Sequence, residues 1–262
     1  MLVLPVSEKY RRYGSRANAY DLLKFLALIT MTIDHFGMYW YPDDLWLRVI
    51  GRVTFPIYFF LIGYSGSVAI RRDLIAIAVI YTLINAAAFA PFFPLNALFG
   101  VILARAAMPL ILRLKWLQDQ PIMLFLACML FFLVSFQLLE YGTFAILFAG
   151  MGYIVRHQLK RWDHLLFYAA TTIFYIAAQY LWFEFSIAQS IVHAALVVGM
   201  SIGLYFFNHT RPVMELPAPV NSIVMLGSRY SLYYYILHKT ILQIIAAALF
   251  MEGSKQLYHW FE

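Results

Sequence analysis

Nine apolar stretches follow one another along this chain of 262 residues, and most are close to the length that crosses a bilayer. A helical span needs about 20 predominantly apolar residues, with every backbone group bonded within the segment. The stretches run over 20–40, 45–70, 74–89, 95–112, 122–139, 141–155, 165–183, 186–207 and 223–250. Little is left over for a polar exterior: 63% of the chain is hydrophobic, 12% is charged, and the mean hydropathy is +0.75. A soluble domain carries about 25% charged residues and could not hide this much apolar surface. Soluble enzymes, secreted domains, disordered tails and nucleic-acid modules are excluded. Two-residue alternation is absent, which argues against a transmembrane barrel. The expectation is an all-α polytopic integral membrane helical bundle of about nine transmembrane helices. A single transmembrane domain, 20–250, would lie between a basic N-terminal segment, 1–19, and a tail, 251–262.

The 19 Lys and Arg against 13 Asp and Glu leave a net charge of +6, and its distribution is topological. Lys9, Arg11, Arg12 and Arg16 precede the first stretch, and Arg71 and Arg72 follow the second. Arg113 and Lys115 follow the fourth, Arg156, Lys160 and Arg161 the sixth, and Arg211 the eighth. The intervening loops hold Asp43 and Asp44, then no charge, then Glu140, then Glu184, and no Lys or Arg. Basic residues gather on the cytoplasmic side, so the N-terminus is expected inside and the C-terminus outside. The first ten residues have too short an apolar run for a signal peptide, so the first span should serve as its own insertion signal. The lone Cys128 offers neither an intrachain disulfide nor a cysteine metal site.

Ionisable groups at helix centres cost about 2.5–3.5 kcal/mol each on insertion scales, so each calls for a reason. The first stretch carries Lys24, Asp34 and His35; the second, Arg48 and Arg52; the fourth, Arg105; the eighth, His193; the ninth, His238 and Lys239. Lys24, Leu28, Met31, His35 and Met38 share one helical stripe, with Lys24 and His35 about 16 Å apart along the axis. Ser231, Tyr235 and His238 form a stripe on the ninth helix, and Ser186, Gln189, Ser190 and His193 one on the eighth. These faces are expected to meet at a shared polar cavity. Neighbouring residues point about 100° apart, so Asp34 is poorly placed to orient His35. Asp34 should pair with Arg52 or Arg48 on the next helix, and His35 should find its partner in His238 or Tyr235. Pro56 should kink the second helix just after Arg52.

Plainer readings stand beside these. Asp34 and Arg52 could be a purely structural ion pair, and His35 and His193 satisfied core histidines. Arg48 could snorkel to the interface, and Lys24 and Arg105 could anchor helix ends. His157, His164, His209 and His259 fall in expected loops or the tail. No glycine-rich phosphate loop, zinc-protease helix or serine-hydrolase elbow occurs, and no metal site is expected.

The run from Asp21 to Asp34-His35, followed by Gly51-Arg52 and Pro56, resembles the TraX family. Those membrane proteins are associated with acetylation of pilin in conjugative systems. They resemble in turn a wider group of transmembrane acyltransferases that includes acyltransferase-3 proteins and heparan-α-glucosaminide N-acetyltransferase. The closing Gly227-Ser-Arg-Tyr-Ser231-Leu-Tyr-Tyr-Tyr235-Ile-Leu-His238 is similar to the last-helix motif of the same group. The resemblance implies transfer of an acyl group, usually acetyl, from cytosolic acyl-CoA to an acceptor at the outer face: pilin, a glycan or another envelope molecule. The location it implies is the inner, cytoplasmic membrane. It also implies catalytic roles for His35, Asp34, Arg52 and His238. Histidine is the side chain best poised for base work near neutral pH, and Arg52 or His238 could face a developing oxyanion. Lys24, Arg105, Arg48, Tyr235 and Ser231 are the candidates for holding acetyl-CoA. A different class, a secondary transporter or flippase with Asp34, His35 and Arg52 as its proton or substrate site, is the alternative.

Overall fold

The computed structural model describes residues 16–66, 68–87, 92–113, 119–159, 161–209 and 215–249. Lys9, Arg11, Arg12, Lys115, Lys160, Arg211, His259 and the tail lie outside them. The described residues form α1 (Ala19–Trp40), α2 (Trp46–Gly51), α3 (Thr54–Ser65), α4 (Arg72–Ala87), α5 (Ala97–Arg113) and α6 (Pro121–Leu130). They continue with α7 (Phe132–Leu138), α8 (Phe144–Arg156), α9 (Trp162–Phe183), α10 (Ile187–Tyr205) and α11 (Ala218–Leu249). No strand occurs among them; Leu95 and Leu139 meet in an isolated bridge.

Every apolar stretch is helical among the described residues, but two are broken and the ninth is kinked at Tyr230. The second divides into α2 and α3 at Arg52–Val53, where Pro56 cannot donate the helical bond to the Arg52 carbonyl. The hydroxyl of Tyr175 donates to that carbonyl instead, at 2.7 Å. The fifth divides at Phe131, with α6 and α7 bent by 61°. Four segments are long and apolar enough to cross a bilayer: α1, α2–α3 taken together, α9 and α10. The bent α6–α7 pair makes a fifth.

The centre of the bundle is α3 against α8, both buried almost throughout. Their backbones touch at two glycines. A Cβ on Gly63 would lie 1.7 Å from the Ala149 carbonyl oxygen, and one on Gly152 would lie 2.0 Å from that of Phe60. Small residues at helix crossings let membrane helices pack by close contact where no hydrophobic drive exists.

Contacts between chain segments follow the charge pattern. Arg105 donates to the Ala69 carbonyl at 2.7 Å, and Arg156 to that of Tyr64 at 2.6 Å. At the other end, the Leu95–Leu139 bridge joins two loops without basic residues, and Glu140 accepts from the Ala97 N–H. The first and last helices lie side by side in the same direction. Ala17 N–H donates to Asn221 at 2.7 Å and the Ser228 hydroxyl to Asp21 at 2.6 Å. Further along, the Thr32 and Tyr234 hydroxyls are 2.9 Å apart. Phe25 fills the space a side chain at Gly227 would need. The two halves of the sequence motif are therefore one structural unit.

Candidate functional site

Asp34 is 5% exposed, and α2 lies directly on it. A Cβ on Gly51 would fall 2.2 Å from the Asp34 Cβ, so glycine is what lets this helix approach. Arg48 and Arg52, one turn apart on α2, then both reach the same carboxylate. Arg48 Nη1 donates to Asp34 Oδ2 at 2.9 Å and to the Asp34 carbonyl at 3.2 Å. Arg52 Nε donates to Oδ1 at 3.0 Å, and its Nη2 donates to Oδ2. The guanidinium centres lie 5.1 and 4.9 Å from the Phe183 ring centroid. Arg48 is thus engaged in the interior and does not snorkel outward. A Gly51→Ala change should overpack this contact and lower stability by about 1–3 kcal/mol, read as thermal unfolding in detergent. Gly199→Ala, with nothing within 4 Å of the added methyl, should not.

On the next face of α1, His35 Nδ1 is 2.7 Å from His238 Nε2 on α11. His238 Nδ1 is 2.6 Å from the Tyr234 carbonyl oxygen. A carbonyl only accepts, so His238 Nδ1 carries a proton. In the neutral ring, Nε2 of His238 is then an acceptor and His35 Nδ1 must donate to it. That chain leaves the lone pair of His35 on Nε2. The two imidazoles stack at 4.9 Å, and Tyr235 meets His35 edge-on at 6.0 Å. His35 and His238 are 6% and 8% exposed. An oriented base beside a buried carboxylate–diarginine cluster suits removal of a proton from an acceptor.

Of the other expected site residues, Tyr235 joins the histidines and the rest lie elsewhere. Lys24 is about 16 Å down the α1 axis from His35. Arg105 binds the segment after α3 through Nη1, while its Nε is buried without a partner; Tyr20, Arg71 and Asp73 are within electrostatic reach. Both belong to the opposite end of the bundle from His35. Ser231 is buried on α11 and turned toward Tyr58. Tyr235 is buried and touches both histidines.

The polar strip expected on the eighth helix has another purpose at its start. The Ser186 hydroxyl accepts from Gln189 N–H at 3.3 Å, and the Gln189 side chain accepts from Ser186 N–H at 3.0 Å. That is a capping box, which the Ser-x-x-Gln spacing announces. Ser190 bonds back to the Phe185 carbonyl, and His193 is buried against Tyr175 and Phe185. Ser190 and His193 line a cavity with Tyr180 and Phe185, whereas among the described residues the polar groups of α1 bond directly to Arg48 and Arg52 and to α11. His164, expected in a loop, is buried in the first turn of α9. His209 meets the Tyr64 hydroxyl at 2.9 Å, away from the site. Lys239, to which the sequence assigns a cost but no role, stands next to His238 and is 6% exposed. A lysine in the middle of an apolar helix was the signal.

The model of the TraX protein family matches residues 19–246, which takes in both motifs and everything between them. An uncharacterised protein of Rickettsia prowazekii (strain Madrid E) is 25% identical over 264 residues, covering 92% of this chain and 97% of that one. No solved structure matches. With the family model spanning the site and most of the chain, this helical membrane protein belongs to the TraX family.

Proposed function

We propose that the protein is a membrane-bound acyltransferase. It would move an acyl group, acetyl first among candidates, from cytosolic acyl-CoA to an acceptor amine or hydroxyl at the outer face of the inner membrane. Membership of a family linked to acetyltransferase function supports the reading. The observation that carries it is the hydrogen-bond chain from the Tyr234 carbonyl through His238 to His35, which leaves a lone pair on His35 Nε2. In this reading His35 takes the proton of the acceptor and returns it to the departing CoA thiolate. His238 holds the tautomer and shares the charge that His35 gains. Asp34, Arg48 and Arg52 fix α2 against α1 and so keep the base in place.

Nine crossings, with the N-terminus inside, are part of the same proposal. Parallel α1 and α11 require an odd number of crossings between them, hence an odd total. Lys24 and Arg105, with Arg71 and Arg72, then stand at the cytoplasmic end, where cationic donors suit the phosphates of CoA. The pantetheine arm would extend about 16 Å along the Lys24–His35 stripe. The test is acetyl-CoA turnover by the purified protein in detergent, read as free thiol released. Mass spectrometry of envelope fractions from cells with and without the protein would identify the acceptor. Turnover that depends on the protein supports the reading. A folded protein that neither binds nor consumes acetyl-CoA overturns it, and proton uptake by proteoliposomes would favour a transporter.

A further inference from the structure

Three cations lie within electrostatic reach of His35: Arg48, Arg52 and Lys239. The two arginines share the Asp34 carboxylate. Lys239 has neither an ion pair nor a hydrogen bond among the described residues, although it is 6% exposed. Its Nζ lies 5.1 Å from the Tyr81 ring centroid and 5.7 Å from that of Tyr235. Aromatic faces attract the charge but leave three ammonium N–H donors without an oxygen. The hydroxyl of Tyr235 is also buried without a partner. Glu140, an acid at this end of the bundle, accepts from the N–H of Ala97 at 2.9 Å. A buried ammonium without a bonded counter-ion is costly, and this one stands within electrostatic reach of the base.

We propose that Lys239, with the Tyr235 hydroxyl, is the oxyanion site of the acyl transfer, receiving the carbonyl oxygen of the acyl thioester. The inference rests on the acyltransferase reading and completes it. The acceptor heteroatom forms a bond to the thioester carbon while its proton passes to His35 Nε2. The carbonyl π pair moves onto oxygen, where the Lys239 ammonium balances the new charge. Collapse re-forms the carbonyl, breaks the carbon–sulfur bond and releases CoA thiolate, which takes the proton back from His35. Arg52 and His238 cannot fill this place as the site stands, since Asp34 engages the one and the His35 N–H occupies Nε2 of the other.

Lys239→Met keeps the aliphatic stem and removes the charge. Loss of an oxyanion donor costs about 10²–10³-fold in kcat, so turnover should fall by that factor while acetyl-CoA affinity, measured by calorimetry on the full protein, is retained. Lys239→Arg should recover part of the loss, and Tyr235→Phe should lower kcat without changing affinity. A purely structural lysine would instead lower thermal stability and leave kcat in the folded fraction unchanged. An active parent with normal kcat in Lys239→Met overturns the oxyanion site alone, as does loss of acetyl-CoA affinity in place of kcat. If Lys239→Met does not fold, normal kcat in Tyr235→Phe overturns it. A parent that neither binds nor turns over acetyl-CoA overturns the acyltransferase reading and this site together.

Discussion

A His35→Gln protein should transfer acyl groups about 10²–10⁴-fold more slowly than its parent, the contribution expected of a positioned general base. Glutamine retains an amide N–H that can donate to His238 Nε2, so the contact between α1 and α11 survives while the basic nitrogen is lost. Acetyl-CoA affinity should survive too, because Lys24 and Arg105 lie at the far end of the helix stripe. His238→Gln should have the smaller effect of the two, since His238 acts by orienting His35 and by accepting its N–H. Steady-state turnover with matched unfolding curves separates the cases. Near-normal turnover in a well-folded His35→Gln protein would remove His35 from the chemistry.

The second large effect concerns stability. Asp34→Asn strands two guanidinium groups in a dry site, and breaking a buried pair typically costs about 3–5 kcal/mol. Arg52→Gln should cost less, because Arg48 still holds the carboxylate, and Arg48→Gln least, because two bonds from Arg52 remain. Removing Asp34 and Arg52 together should not restore the parent's stability: Arg48 is left without its acid. Detergent unfolding of the three single variants and the double one gives the order directly. Equal losses from all three single changes would show that the shared carboxylate is not what joins these helices.

Much of this site can be read from the chain because hydrocarbon is an intolerant solvent. An aspartate at the depth of Arg48 and Arg52 has few other partners there, so its pairing follows from position alone. What spacing does not show is that both arginines bind it, since that depends on how closely Gly51 lets α2 approach. His238 was one of two expected partners for His35, and only the three-dimensional register of α1 against α11 chooses it over Tyr235. The break at Phe131 has no proline or glycine beside it, and periodicity passes straight through it. Ser186 and Gln189 were legible in a different sense. Their spacing is that of a helix start, and their polarity invited a cavity reading that the cap removes. Lys239 stood out as a charge inside the ninth stretch, but its place against Tyr81 and Tyr235 depends on packing that spacing does not show.

The pairing of α1 with α11 also bears on how the protein is made. Asp34 and His35 enter the membrane with the first helix, and Arg48 and Arg52 follow with the second. The carboxylate is therefore neutralised early in synthesis. His35 must wait for nearly the whole chain, because His238 lies on the last described helix. A nascent polypeptide that stops before this helix carries the acid, both arginines and the histidine proposed as the base, but lacks the His238 ring that hydrogen-bonds to it. On the acyltransferase reading, premature release would yield an inserted but inert fragment, and activity would first become possible when the final segment leaves the insertion machinery.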